Sequence, residues 1–380
     1  MRSADPALWS EPAARRAEAV LSIDLAAIQE NYGRLQKRLG GVPCAAVVKA
    51  DGYGLGLSKV GPALAKAGAR DFFVAKLDEA IALRGFLASS DPGTTIHVLN
   101  GLGLGCEEDF LDHDLRPVLN SLGELEAWSR HAASLGRKLP AALQLDSGMN
   151  RLGLPADELD RLAAAPERLD GIDLTLVMSH LACAEAPDNP MNVQQLETFR
   201  AAIARLPKAP ASLANSSGIF LGPDYHFDLG RPGVALYGVN PTPRAPSPMR
   251  QVVRLQARIL QVREIDAPQS VGYGAAHRVA GPTRVATLGV GYADGYLRSL
   301  SNRGSAFIAG QKVAVIGRVS MDLITLDVTA LPPEQVTPGS VVDLLDPARG
   351  PDALAEEADT IGYEILTSLG RRYHRAYSGA

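Results

Sequence analysis

The stretch "CAAVVKADGYGLG", residues 44–56, closes an apolar run with Lys49 and turns at once through Asp51-Gly52, with Tyr53 behind them. A lysine after four apolar residues is partly desolvated, which lowers its pKa and raises its nucleophilicity toward an aldehyde. On its own, a strand-end lysine that snorkels to solvent accounts for the position better. Other apolar runs, however, close on chemistry-bearing residues too. "LDSGMNRLG" offers Arg151 beside a Gly-containing turn, and "VMSHLA" offers His180. "ANSSG" offers Asn215, Ser216, Ser217 and Gly218, and "DLGRPGVALYG" offers Arg231 followed by Pro-Gly. Small hydroxyl residues, turn amides and a nearby cation are the groups that cradle a phosphate. Each has a plainer explanation: a core histidine, a helix N-cap at Ser216, one half of an ion pair at Arg231. Taken jointly, those explanations leave open why lysine, arginine, histidine and small hydroxyl residues should all terminate apolar runs.

The elements that would position these residues follow one theme from residue 43 to about 240. A short apolar run is followed by a polar or Gly-containing turn and then by an Ala/Leu-rich segment of helical spacing. The runs are "CAAVVKA", "RDFFVAK", "TTIHVLNG", "LRPVLN", "PAALQLD", "DLTLVMSH", "PASLANSS" and "FDLGRPGVALYG". Eight strands alternating with helices predict an α/β fold, a (β/α)8 TIM-like barrel, because parallel strands need helical crossovers. In such a barrel the functional face lies at the C-terminal strand ends, and phosphate is commonly held after strands seven and eight. Near residues 240–250 the prolines of "NPTPRAPSPMR" favour an extended connection. The barrel is therefore expected over 20–247 and a mostly antiparallel β domain over 248–380, with residues 1–20 as an N-terminal extension. The early run "EAVLSIDL" is a candidate strand of the C-terminal sheet. The expected strands of that domain lie in "VVRLQARILQVREI", "TRVATLGVGYA", "SAFIAGQKVAVIGRVSMDLITLDV" and "SVVDLLD".

The 380 residues carry 46% hydrophobic and 21% charged side chains, ordinary values for a folded chain with room for two cores. A formal charge of -4 and the absence of a basic, aromatic-interleaved stretch argue against a nucleic-acid partner. The N-terminus is broken by prolines and acids, so neither a secretory signal nor a membrane span is expected, and a cytoplasmic location is. Three scattered cysteines, Cys44, Cys106 and Cys183, predict no disulfide framework, and seven scattered histidines predict no metal site. "GLGLGCEE" imitates a dinucleotide loop but has Cys106 at the third glycine position, and reads as a surface turn.

Together "AVVKADGYGLG", "LDSGMNRLG", "SHLA", "ANSSG", "LGRPGVALYG", "VGYGAAH", "GYADGY", "SMD" and "IGYE" resemble the alanine racemase family of pyridoxal phosphate enzymes, from about residue 20 to residue 377. The resemblance implies interconversion of L- and D-alanine by two bases, one on each face of the α-carbon, and leaves open whether this serves D-alanine supply as a peptidoglycan precursor or L-alanine catabolism. It implies that Lys49 carries the cofactor covalently and is one base. Tyr53, Ser216, the backbone of Gly233 and Val234, and Tyr363 are implied to hold the phosphate, with Asn215 and His180 in the same cofactor-binding set. Arg231 is implied to donate to the pyridine nitrogen; an arginine keeps its proton, so the ring stays neutral and withdraws electrons weakly. The second base is implied to be Tyr273 of the other subunit of a homodimer, polarised through His180. Tyr292, Arg298, Met321 and Asp322 are implied to line the entry and the substrate pocket, and Arg151 to meet the cofactor's phenolic oxygen and the substrate carboxylate.

Two positions depart from the family's common pattern. Gln144 stands where many members have a carbamylated lysine that orients the arginine, and a neutral amide holds Arg151 less strongly. Ser320 stands before Met-Asp where a cysteine is frequent. Competing readings are a racemase of wider substrate range, a fold type III pyridoxal phosphate decarboxylase, and a non-catalytic pyridoxal phosphate carrier. The decarboxylase lacks support because neither a Gly-Gly-Gly phosphate loop nor a C-terminal cysteine acid is present. The single-barrel carrier needs no β domain.

Overall fold

The computed structural model describes Trp9, residues 12–87 and residues 93–379. Of the expected N-terminal extension, residues 1–8, 10 and 11 lie outside the described residues. The chain divides into two compact units. One comprises residues 28–52 and 56–250; the other comprises the described residues up to Ala27, Tyr53–Leu55, and Gln251 onward.

In the second unit a short helix, Pro12–Arg16, precedes the first strand, β1 (Ala19–Asp24), whose last residue caps helix α1 (Leu25–Leu39) by accepting Ala27 N–H on Asp24 Oδ1 at 2.9 Å. The first unit is the α/β one. Its strands are β2 (Ala46–Val47), β3 (Asp71–Val74), β4 (Thr95–Val98), β5 (Leu115–Leu119), β6 (Leu139–Gln144), β7 (Ile172–Met178) and β8 (Ala211–Ser212). They lie side by side in chain order and every neighbouring pair is parallel. Helices α2 (Leu57–Lys66), α3 (Leu77–Leu87), α4 (Glu107–Asp112), α5 (Leu122–Ser134), α6 (Ala156–Ala164) and α7 (Pro190–Ile203) supply crossovers. Local chemistry sets where they start: Ser121 Oγ accepts Glu124 N–H ahead of α5, and Asn189 with Pro190 opens α7. The apolar runs are buried as their strand assignment requires; Phe72, Phe73, Val118 and Leu143 are all sealed from solvent.

The expected eighth strand is the point where the structure corrects the sequence reading. Residues 227–238 form no regular strand but close the ring by single contacts. On one side Asp228 N–H donates to Ala211 O and Arg231 N–H to Ala214 O; on the other, Ala45 N–H donates to Gly230 O and Val47 N–H to Pro232 O. A parallel bridge joins Cys44 and Gly230. Pro232 has no N–H to give and Val234–Tyr237 coils into a 3-10 turn, so the ladder stops before a strand can be counted. The seven strands and this segment make the TIM-like barrel.

The β unit continues with β9 (Val253–Ile265), β10 (Ser270–Val271), β11 (His277–Arg278), β12 (Thr283–Leu288), β13 (Ser305–Ile308), β14 (Gln311–Val315), β15 (Ile324–Asp327), β16 (Val341–Leu345) and β17 (His374–Ser378). The order across its main sheet is β12-β15-β14-β13-β16-β9-β1-β17, and β12 also pairs with β9. The 13-residue β9 makes this closure possible: its first half pairs with β1 and β16, its second half with β12. Pairing is antiparallel except between β1 and β17. Among the described residues no helix is long and apolar enough to cross a membrane, and no group of three or more His, Cys, Asp or Glu is placed to hold a metal ion.

Candidate active site

Lys49 lies two residues beyond β2, at the C-terminal face of the parallel sheet. Burial lowers its pKa first, the nearby Arg151 guanidinium lowers it further, and Glu79 opposes them. An amine so placed gives up its proton more easily than a surface lysine, as attack on a carbonyl carbon requires. The chain leaves Lys49 through a left-handed turn, with Ala50, Asp51 and Gly52 at φ 54, 56 and 63°.

Arg231 lies within the closing segment and is buried over the ring of Phe73, 5.9 Å from guanidinium carbon to ring centroid. It donates Nη2–H to Ser179 O at 2.5 Å and Nη1–H to Ser212 Oγ, which itself donates to Leu229 O. Among the described residues no carboxylate comes within ion-pair reach of it. Burial pulls its pKa down to about 9, still above neutrality, so the cation persists at pH 7. Among the described residues its Nε–H meets no acceptor, so it remains available to one.

His180 is half-buried, two residues past β7. Burial and then the charges of Arg231, Arg151 and Lys49 push its pKa down to about 3, so the imidazole is neutral at pH 7. The hydrogen bonds of Arg231 go to Ser179 and Ser212, and none links it to the His180 ring. Ser216 is buried, its Oγ accepting Gly233 N–H at 2.9 Å and Ala235 N–H at 3.2 Å, which leaves its own O–H free to donate outward. Asn215 Oδ1 accepts Gly218 N–H at 2.8 Å and so opens the short turn Gly218–Leu221. Val234 starts the 3-10 turn beside Gly233.

Arg151 is exposed on a loop between Leu145 and Leu154, which form an isolated bridge. Asp146 Oδ1 accepts Gly148 N–H and Asn150 N–H within that loop, and Leu154 N–H returns to Gln144 O at 2.8 Å. Gly153 is required there: its φ is +104° and a Cβ would stand 2.8 Å from the Leu145 carbonyl carbon. Gln144 is buried at the end of β6, and among the described residues no carboxylate pairs with Arg151.

The β unit carries the remaining predicted residues. Tyr53 is buried with its ring centroid 6.2 Å from that of Tyr363, and burial followed by Tyr363 raises its pKa. Tyr273 is 72% exposed in a 3-10 turn between Gly272 and Gly274, both at positive φ. Tyr292 and Met321, both exposed, are tied by backbone bonds: Tyr292 N–H to Ser320 O at 3.0 Å and Ala293 N–H to Met321 O at 2.9 Å. Gly291 permits that approach, since a Cβ there would strike the carbonyl oxygens of Ser320 and Met321. Asp322 pairs with Arg372 at 2.7 Å, and Arg372 also pairs with buried Asp294 at 2.9 Å. Arg298 is exposed in the turn Arg298–Leu300.

Several participants carry no signal at the strand ends. Gln195 on α7 donates Nε2–H to His180 O at 2.9 Å and to Ser147 Oγ at 3.3 Å, and accepts Ala182 N–H at 2.8 Å. Ser147 and Ser179 share a hydroxyl hydrogen bond of 2.7 Å. This buried net holds the segments that carry His180 and Arg231. Glu79 accepts from the turn after Lys49 and is found only through an acid in the first turn of α3.

The donor set suits pyridoxal phosphate: an amine for the aldehyde, an uncommitted guanidinium N–H for the ring, and a hydroxyl with turn amides for the phosphate. Comparison with known proteins points to one family. The family model described as Alanine racemase, N-terminal domain matches residues 23–241, and that described as Alanine racemase, C-terminal domain matches residues 252–377. An alanine racemase of Rhodospirillum rubrum is 53% identical over 96% of this chain and 97% of its own. A protein named alanine racemase, catabolic, of Mesorhizobium japonicum is 52% identical over 96% of this chain and 94% of its own. Among solved structures, alanine racemase from Bartonella henselae with covalently bound pyridoxal phosphate superposes with a TM-score of 0.92 at 41% identity, covering 95% of this chain and 100% of that one. This chain belongs to the alanine racemase family.

Proposed function

We propose that the chain interconverts L- and D-alanine with pyridoxal phosphate held by Lys49, Arg231, Ser216 and their neighbours. The observation that carries this reading is a lysine whose charge is disfavoured by burial and by Arg151, at the strand-end face of a barrel matched throughout by one family. Bound there, pyridoxal phosphate supplies an electrophilic carbon and a conjugated ring that spreads the charge left when the α-proton departs. Lys49 is then the base on one face of the α-carbon. Arg231 would donate to the ring nitrogen and, keeping its own proton, would limit how much charge the ring withdraws, which favours simple return of a proton. Ser216, with Asn215, Gly233 and Val234, takes the phosphate, and Tyr53 and Tyr363 serve the same end. His180, neutral, presents no further charge to the site. Arg151 takes the substrate carboxylate.

Tyr273, supplied by a second copy of the chain, is the base on the opposite face. Its 72% exposure in the single chain suits a side chain that works outside its own fold. Tyr292, Met321, Arg298 and Asp322 border the entry on the same terms. The substrate is an amino acid, and alanine is the one named by the family to which the chain belongs.

The test is incubation of L-alanine and of D-alanine with the protein and pyridoxal phosphate in heavy water. Inversion with deuterium at the α-carbon and no carbon dioxide is expected, with borohydride fixing the cofactor on Lys49. Carbon dioxide release, or a cofactor fixed on another lysine, overturns the reading. Serine and lysine as substrates in the same assay measure its breadth.

A further inference from the structure

The turn after Lys49 is left-handed over four successive residues, Ala50, Asp51, Gly52 and Tyr53, with φ of 54, 56, 63 and 55°. Three of these carry a Cβ, for which the left-handed form is unfavourable relative to the right-handed one. One side chain offsets that strain. Glu79 Oε1 accepts Ala50 N–H at 2.6 Å and, more weakly, Asp51 N–H at 3.4 Å. Its other oxygen accepts Ala75 N–H at 2.9 Å and Lys76 N–H at 3.2 Å, immediately past β3. A single carboxylate thus ties the turns that follow two adjacent strands. The turn is completed by Gly52 N–H to Val48 O at 2.9 Å and by Leu57 N–H to Asp51 Oδ1 at 2.7 Å, which starts α2. The groups that act electrostatically on Lys49 are Arg151 and Glu79, with His180 beside them in its neutral form.

We propose that Glu79 is a positioning residue of the active site, its carboxylate clamping the left-handed turn to the end of β3 and fixing both the reach and the charge environment of Lys49. The inference rests on the reading that Lys49 carries the cofactor. It predicts two separable effects. Glu79→Gln keeps the side-chain size but presents an NH2 group to backbone donors, and it removes the negative charge that, among the described residues, favours protonated Lys49. Glu79→Asp keeps the charge but falls one methylene short of bridging both turns.

The experiment uses the full-length chain, without and then with pyridoxal phosphate. Amide exchange of residues 50 and 51 is followed by mass spectrometry, and the pH midpoint of Lys49 labelling by acetic anhydride is measured before cofactor is added. Exchange about tenfold faster than in the wild type is expected in both variants, from loss of charge-assisted hydrogen bonds. The labelling midpoint is expected to fall in Glu79→Gln and to stay in Glu79→Asp, a split that a merely structural role does not produce. Wild-type exchange in both variants, or an unshifted midpoint in Glu79→Gln, overturns the proposal. If Glu79→Gln fails to fold, Glu79→Asp decides alone: faster exchange at an unchanged midpoint supports the clamp, and unchanged exchange removes it. Borohydride trapping on the wild type separates the two levels, since a cofactor fixed elsewhere than Lys49 overturns the functional reading while the clamp is still read from exchange.

Discussion

His180 is held neutral by its surroundings, and that has a pH consequence with a definite sign. Its folded pKa of about 3 lies below the ordinary 6.5, so the unfolded chain binds the extra proton. The stability this contributes is complete above 6.5 and is lost as pH falls toward 3. Buried His97, also lowered by burial, acts in the same direction. Urea unfolding at pH 7 and at about pH 4.5 is expected to show a drop that is smaller in His180→Asn; an equal drop in both proteins removes this account. Arg231 is the second test at this scale. Its two fixed donors to Ser179 and Ser212 come from a planar fork that lysine does not reproduce. Arg231→Lys is expected to lower unfolding free energy by about 1–3 kcal/mol through unpaired buried acceptors, read from the urea midpoint. Both residues were visible in the sequence as polar ends of apolar runs. Their partners were not, because Ser179 lies 52 positions from Arg231 and a hydroxyl's partner is chosen by packing.

At the scale of elements, loops at the strand ends carry the strain and the regular elements hold them. Gly52 has φ +63° and a Cβ there would stand 3.2 Å from the Val60 side chain. Gly52→Ala is expected to cost about 1–2 kcal/mol of stability and to slow cofactor loading, followed by absorbance of the added pyridoxal phosphate; an unchanged loading rate and an unchanged unfolding midpoint together sink it. Gly153→Ala meets a harder limit, since its Cβ would press on backbone at 2.8 Å. Opening that loop displaces Arg151, so KM for alanine is expected to rise about tenfold or more with kcat less affected, the pattern of a lost carboxylate contact. Asp-Gly after Lys49 announced a turn in the sequence. Its left-handed run did not show, because Ala50 has no preference for positive φ and Asp51 only an occasional one, and Glu79, which accepts their N–H groups, lies 29 and 28 positions away.

For the whole molecule, the decisive matter is which chain supplies Tyr273. Lys49→Ala and Tyr273→Phe proteins, each inactive alone, are expected to regain activity when dissociated and reassembled together. A mixed dimer then holds one site with an intact Lys49 and the partner's intact tyrosine, giving about a quarter of wild-type activity at equal mixing. If both residues act within one chain, every mixed dimer has two damaged sites and nothing is regained. The alternation of apolar runs and helical spacing already indicated the barrel, because period and turn chemistry are local properties. It overcounted by one strand, because Pro232 and the 3-10 turn after it interrupt a ladder that hydrophobicity alone would continue.

The sequence by itself determined which residues follow the apolar runs: Lys49, His180, Ser216 and Arg231 sit where such a run gives way to a turn, and that is written in their neighbours. It also determined the family, through motifs spread from residue 20 to 377. Only the tertiary structure decided what surrounds those residues: Glu79 beneath the lysine turn, Ser179 and Ser212 around the arginine, Gln195 behind the histidine, and Arg372 on Asp322. The reason is physical. A side chain's burial follows from local pattern, whereas the partner of a buried donor or charge is fixed by which distant segments folding brings within about 3 Å of it.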